Sequence, residues 1–466
     1  MTAAPALLAN GFLRRRAGRL WPWWLGWVLF VVYGSLVPLD FQPLPLDLAW
    51  QRLLSAPMFN LGIESRADWV ANGVLYLPVG FLSAGALMGD GVGPGRKIAS
   101  GLLGLLFGIT LAIAVEFAQT AFPPRTVSRN DMLAESIGSA LGVCGAWAGA
   151  PRFRQLLRGY GQGGQVLALR LAKFYALMFP AIVLFPFDLL VSVDEWQAKL
   201  WGPQVGLWLA GSSHHLGTTT LAAKLAVETL AVVPLGALWA GLRQPKFPGS
   251  GRAQEEALLL GGLLVGALLG LLVEGAQLAM ASGLSQGVSV LTRACGFALG
   301  AAAWGHRSAW EHETLRSRVR YFSVPILVLM LMVLIFYNRA WTGPWLDLGQ
   351  AWRRLAVDTR FLPFYYHYYV TEMQAVISLT AVSLCYAPLG LLGWAWHVRP
   401  GVVATMALLL SGLMELSKVF AQSVHSDPSN LWIAAAAVWL VQHLVQRLFT
   451  LPDPGKAGQR DAQVRQ

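Results

Sequence analysis

Charge is scarce in this chain: Asp, Glu, Lys and Arg make up 13% of 466 residues, against about 25% in a soluble domain. A shortage of that size excludes a molecule whose whole surface faces water. Cysteine is scarcer still. Cys144, Cys295 and Cys385 each lie in a different apolar run without metal-ligand spacing, so they read as small buried hydrophobes rather than as a disulfide or metal framework. The pair His214-His215 has no third ligand nearby, and neither a metal nor a cofactor is expected. Phosphate loop, dinucleotide fingerprint and serine-nucleophile motif are all missing.

Apolar residues are what the chain has in quantity, at 55% with a mean hydropathy of +0.52. Runs long enough to cross a bilayer fall at 21–38, 68–88, 98–120 and 132–150, then 167–185, 221–242, 257–281 and 288–304. The last four are 322–337, 375–397, 402–420 and 431–449. The expected fold is therefore all-α and polytopic, with about twelve transmembrane helices, and the partner of most of the surface is the lipid bilayer. Thr292 and Arg293, early in the run at 288, make that span the weakest of the twelve. The net charge of +11 suggests nucleic acid only until its placement is considered. Arg14, Arg15, Arg16 and Arg19 precede the first run, and Arg152, Arg154 and Arg158 follow the fourth. Basic residues beside span ends fix topology, and no basic groove with interleaved aromatics points to nucleic acid.

Laid over one another, the twelve runs form three sets of four. Every second helix carries Pro-x-Gly: Pro78-Val79-Gly80, Pro234-Leu235-Gly236 and Pro388-Leu389-Gly390. Every third helix carries an acid followed three residues later by an amide or amine: Glu116 with Gln119, Glu274 with Gln277, and Glu415 with Lys418. From that acid the first two sets run without a gap to the glycine pairs Gly138/Gly142 and Gly296/Gly300. The chain is thus expected to hold four-helix repeats at 21–150, 165–306 and 321–450, the second degenerate and the third highly degenerate. A basic tail at 1–20 and a disordered tail at 451–466 flank them. Arg and Lys weight the tails and the loops after the second helices, placing both termini in the cytoplasm. Arg353, Arg354 and Arg360, in an outward loop, run against that rule.

In the first set the polar residues gather at the outer end. Asp68 and Asn72 share one helix face, as do Glu116 and Gln119. The loop that follows supplies Arg125 and Ser128, and Asp131 begins the fourth helix on the stripe of Glu135, Gly138 and Gly142. The counterparts Glu274, Gln277, Glu415 and Lys418 read as structural, with Lys418 neutralising Glu415.

The series Tyr33, Leu36-x-Pro38, Asp68-x-x-x-Asn72, Pro78-x-Gly80, Glu116-x-x-Gln119, Arg125, Ser128-x-x-Asp131 and Gly138-x-x-x-Gly142 resembles the VanZ-like family, whose founding member is associated with teicoplanin resistance. The match is good over the first third of the chain, skeletal over the second and faint over the last. The resemblance implies a bacterial inner-membrane protein with a cell-envelope role and no established reaction. Three readings follow. In the preferred one, the cluster of Asp68, Asn72, Glu116, Gln119, Arg125, Ser128 and Asp131 binds an amphiphilic or lipid-linked molecule at an outward-facing site. The second is a membrane-embedded enzyme using Glu116, Asp131 and Arg125 on an envelope precursor, and the third a secondary transporter.

Overall fold

An apolar chain in lipid must satisfy its backbone internally, and this one does so as helices. The computed structural model describes residues 20–89, 91–159, 163–214, 217–243, 252–305, 312–339 and 343–449. The two terminal tails, His215 and Lys246 lie outside them. The first set comprises α1 (Trp21–Leu36), a short α2 (Leu46–Leu54), α3 (Ile63–Leu87), α4 (Pro94–Gln119) and α5 (Arg129–Gly159). The second comprises α6 (Gly164–Val183), α7 (Val193–Leu200), α8 (Gly211–His214), α9 (Thr218–Arg243), α10 (Arg252–Leu278) and α11 (Gly287–Gly305). Then come α12 (His312–Tyr321), α13 (Ser323–Asn338), α14 (Leu348–Arg353), α15 (Glu372–Ala395), α16 (Pro400–Val419) and α17 (Ser429–Leu448). Two-residue strands, β1 (Val205–Gly206) and β2 (Ser285–Gln286), pair in parallel.

Nine of the described helices are long and apolar enough to cross a membrane, and a tenth is added if α12 and α13, which meet at 62°, form one span. Both helices that the count omits belong to the first set. With 16 residues, α1 reaches about 24 Å, short of the roughly 30 Å of hydrocarbon. Asp131, Glu135, Arg152 and Arg154 dilute the apolar content of the 31-residue α5.

The described residues divide into two compact units, 1–161 with 169–306 and 162–168 with 307–466. Inside each, a second helix packs along a fourth. The glycine of every Pro-x-Gly makes this approach possible. A Cβ on Gly80 would stand 1.9 Å from the Ser139 carbonyl oxygen, one on Gly236 1.9 Å from that of Phe297, and one on Gly390 2.6 Å from that of Val438. Contacts that close leave no room for a side chain. The approach is mutual in the first two sets: a Cβ on Gly142 would lie 2.0 Å from the Leu77 oxygen, and one on Gly300 2.0 Å from that of Val233.

The acid of each third helix sits at the same kind of joint. Glu116 accepts a hydrogen bond from the Ser128 backbone N–H (3.0 Å), Glu274 from that of Gln286 (2.5 Å) and Glu415 from that of Asp427 (2.7 Å). In all three cases the donor lies 12 residues on. Five residues past each acid, a carbonyl receives the strand leaving the first helix: Gln42 N–H on Ala121 (2.8 Å), Leu190 on Ala279 (2.9 Å) and Leu346 on Phe420 (2.8 Å). A cation from the short helix that follows each first helix, or from the turn after it, then covers the carbonyls at the third helix's end. Arg52 donates to Thr120, Lys199 to Ala281 and Gly283, and Arg354 to Ala421 and Val424. A cation there complements the helix dipole, which gives Arg354 a structural role. Burial holds the Lys199 ammonium below its ordinary value.

Arg66, at the start of α3, pairs with Glu195 of α7 at 2.6 Å and also donates to the Leu189 carbonyl, tying the first two sets together. The Arg66 hydrogen bond, reinforced by the Val191 N–H, pulls the Glu195 carboxyl down to about 2. A lowered acid stabilises the fold above its unfolded value of about 4.5, and the contribution is lost as pH falls toward 2. Wild type should therefore melt above Glu195→Gln at pH 7, with the gap narrowing as pH drops below about 4.5. Melting curves of both proteins across that range check this; a gap independent of pH would contradict it.

Candidate functional site

Four elements of the first set converge on one polar cluster. Asn72 projects from α3 and donates through Nδ2 to Asp131 Oδ1 at 2.9 Å. Ser128 Oγ caps the start of α5, accepting from the N–H groups of Asn130 (3.1 Å) and Asp131 (3.4 Å). That placement is where a hydroxyl best satisfies the open donors of a helix start. Glu116 holds the same turn through the Ser128 N–H. Arg125 comes near enough to Glu116 and Asp131 for its charge to act on both.

One member of the predicted group turns away from this centre. Gln119 points across α4 and donates to the Ser35 carbonyl at 2.9 Å, anchoring α1. Asp68 is exposed, one turn beyond Asn72.

Deeper in the set, the structure adds residues that no sequence reading placed in the site. Glu135, one turn below Asp131 and 3% exposed, lies within electrostatic range of Glu116 and Asp131, and the Tyr76 hydroxyl abuts it. Ser139 follows one turn further on the same face, its hydroxyl pressed against Gly108 of α4. The buried Tyr76 hydroxyl and Glu135 carboxyl face each other, and Ser139 Oγ is buried without a hydrogen-bond partner. The signal for Tyr76 was its spacing of four from Asn72, which puts both on one face. Among the described residues, this cluster gathers three carboxyls, of Glu116, Asp131 and Glu135, about one guanidinium.

The equivalent positions elsewhere are neutralised directly. Glu274 is bonded by Arg293, whose guanidinium also lies 3.7 Å from Glu228, and Glu228 takes Lys224 at 2.8 Å and the Thr292 hydroxyl at 3.2 Å. The Arg293 that weakened the span at 288 is thus a buried counter-ion. No hydrogen bond of Gln277's side chain bears on this pair among the described residues. In the last set Lys418 binds Glu415 at 2.7 Å, and Asn430 adds an amide at 2.8 Å.

No group of His, Cys, Asp and Glu fit to hold a metal occurs among the described residues. Cys144 and Cys295 are exposed rather than buried, on faces that meet lipid where their helices span. Compared with family models, with curated proteins and with solved structures, the chain matches none.

Proposed function

We propose that the chain is a VanZ-like integral protein of the bacterial inner membrane. On this reading its twelve spans are three versions of one four-helix unit, and both termini are cytoplasmic. The recurrence of the same contacts at fixed distances from Glu116, Glu274 and Glu415 supports descent from one unit. The first version binds the head group of an amphiphilic or lipid-linked envelope molecule; the other two are scaffold.

The observation that carries the assignment is the imbalance in charge. Glu274 and Glu415 have cations in contact, whereas the first set buries Glu135 against the Tyr76 hydroxyl with no cation in contact among the described residues. Buried polar atoms are costly when unmatched, and acids within spans are retained for function by default. An acid-rich cluster under one arginine suits a head group offering hydroxyl or ammonium donors, with Arg125 orienting any anionic linkage.

Native mass spectrometry of the purified protein with a lipid-linked amino sugar tests this. Asp131→Asn should weaken retention of the probe about tenfold, the loss expected for roughly 1.4 kcal/mol of charge-assisted hydrogen bonding. Equal retention by wild type and variant would refute the assignment.

A further inference from the structure

A second ligand surface lies in the unit that follows residue 306, independent of the Asp131 cluster. The helix α12 is short and basic, with Arg316, Arg318 and Arg320 near its end. Leu315 and Val319, four apart, pack its inner side onto Leu392, Trp394 and Ala395. It then turns by 62° into α13. An amphipathic basic helix that abuts a span at such an angle lies along the bilayer interface. Exposed aromatics mark the same level: Tyr321, Phe322 and Trp396 are all more than half exposed, the placement expected of an interfacial belt.

At the bend an open apolar groove of about 230 Å³ is lined by Ser323, Val324, Leu327, Leu392 and Trp396. Two of the arginines of this helix are held by aromatic and carbonyl contacts. Arg320 donates through Nε to the Ala395 carbonyl at 2.7 Å and rests 5.9 Å from the Trp396 ring centre. Arg316 stacks 5.0 Å from the Trp394 ring centre, and its Nε is buried without a partner. The one acid beside them among the described residues is Glu313, 76% exposed and 3.5 Å from Arg316. Neither Arg318 nor Arg320 has an acidic partner among the described residues.

The geometry points to a binding site for an acidic phospholipid, with its phosphate on Arg318 and Arg320 and one acyl chain in the Val324–Leu327–Trp396 groove. Two features select that occupant. The groove opens sideways at interfacial depth, where a lipid chain enters without leaving the bilayer. The Arg320 guanidinium, without an acidic partner, stands over the groove's Trp396, and the exposed Arg318 shares its turn, which favours an anionic head group over a zwitterionic one.

The test is native mass spectrometry of the full chain in detergent, titrated separately with dioleoyl phosphatidylglycerol and dioleoyl phosphatidylcholine. Wild type should bind the acidic lipid more tightly. Arg318→Gln and Arg320→Gln should each weaken it about fivefold, the effect of roughly 1 kcal/mol per surface arginine, and leave phosphatidylcholine unchanged. Leu327→Trp, which fills the groove and keeps every charge, should weaken the acidic lipid as well. Because Arg320 also caps a helix end, Arg318→Gln and Leu327→Trp decide the matter if Arg320→Gln fails to fold. Wild-type affinity for phosphatidylglycerol in either of those two, or no preference over phosphatidylcholine in the wild type, would overturn the assignment.

Discussion

Gly142→Leu is expected to leave almost no folded protein in the membrane. A Cβ alone at this position would stand 2.0 Å from the Leu77 carbonyl oxygen and 2.7 Å from the Phe81 nitrogen, both backbone atoms of α3. Neither can rotate aside, so the helices must separate. Separation would withdraw Asn72 from Asp131, which are joined across the same helix pair. Overpacking of an ordinary core costs about 1–3 kcal/mol; a clash with backbone along a whole interface exceeds that. Fluorescence size-exclusion chromatography of a tagged protein reads the outcome as loss of the monodisperse peak. Gly26→Leu is the control, because nothing lies within 4 Å of its Cβ position. Equal yields of the two variants would show that the stripe on α5 does not pack as described.

Arg293→Met should destabilise by about 3–5 kcal/mol, the usual cost of stranding a buried charge. Its guanidinium is 4% exposed and serves both Glu274 and Glu228. Lys224 remains for Glu228, so most of the loss falls on Glu274. The double variant Arg293→Met with Glu274→Gln should recover much of the stability, since an amide replaces the stranded carboxylate. Thermal melting of the three proteins measures this. A single variant as stable as wild type, or a double variant worse than the single, would contradict a structural ion pair in the second set.

Much of this architecture is legible in the residues because its signals are local and steric. Pro-x-Gly marks the second helices, since proline is tolerated where neighbouring helices re-satisfy the backbone and glycine admits the fourth helix. The acids stood out because charge is rare in apolar runs, and grouping the polar residues at one end of the set put Asn72 with Asp131, which it bonds. What was illegible depends on contacts between distant segments. The short helices α2 and α7 and the Arg354 segment escaped notice because they deliver a cation to carbonyls about 70 to 80 residues away, which no periodicity encodes. Glu135 and Tyr76 lie deeper than the loop that drew attention, and only the packing of α3 against α5 brings them together. Arg293 counted against a span because its partners sit on two other helices.

The claim that the first set binds while its counterparts brace the fold is tested most directly by the shift in melting temperature that a lipid-linked amino sugar produces. A ligand raises melting only where it binds the folded state. Wild type should shift upward with the probe. Glu415→Gln, which breaks the pair with Lys418, should melt lower without the probe and yet show the same upward shift. Glu135→Gln should melt close to wild type without the probe and show no shift with it. A full shift in Glu135→Gln, or no shift in wild type, would contradict a binding site among Glu116, Asp131 and Glu135.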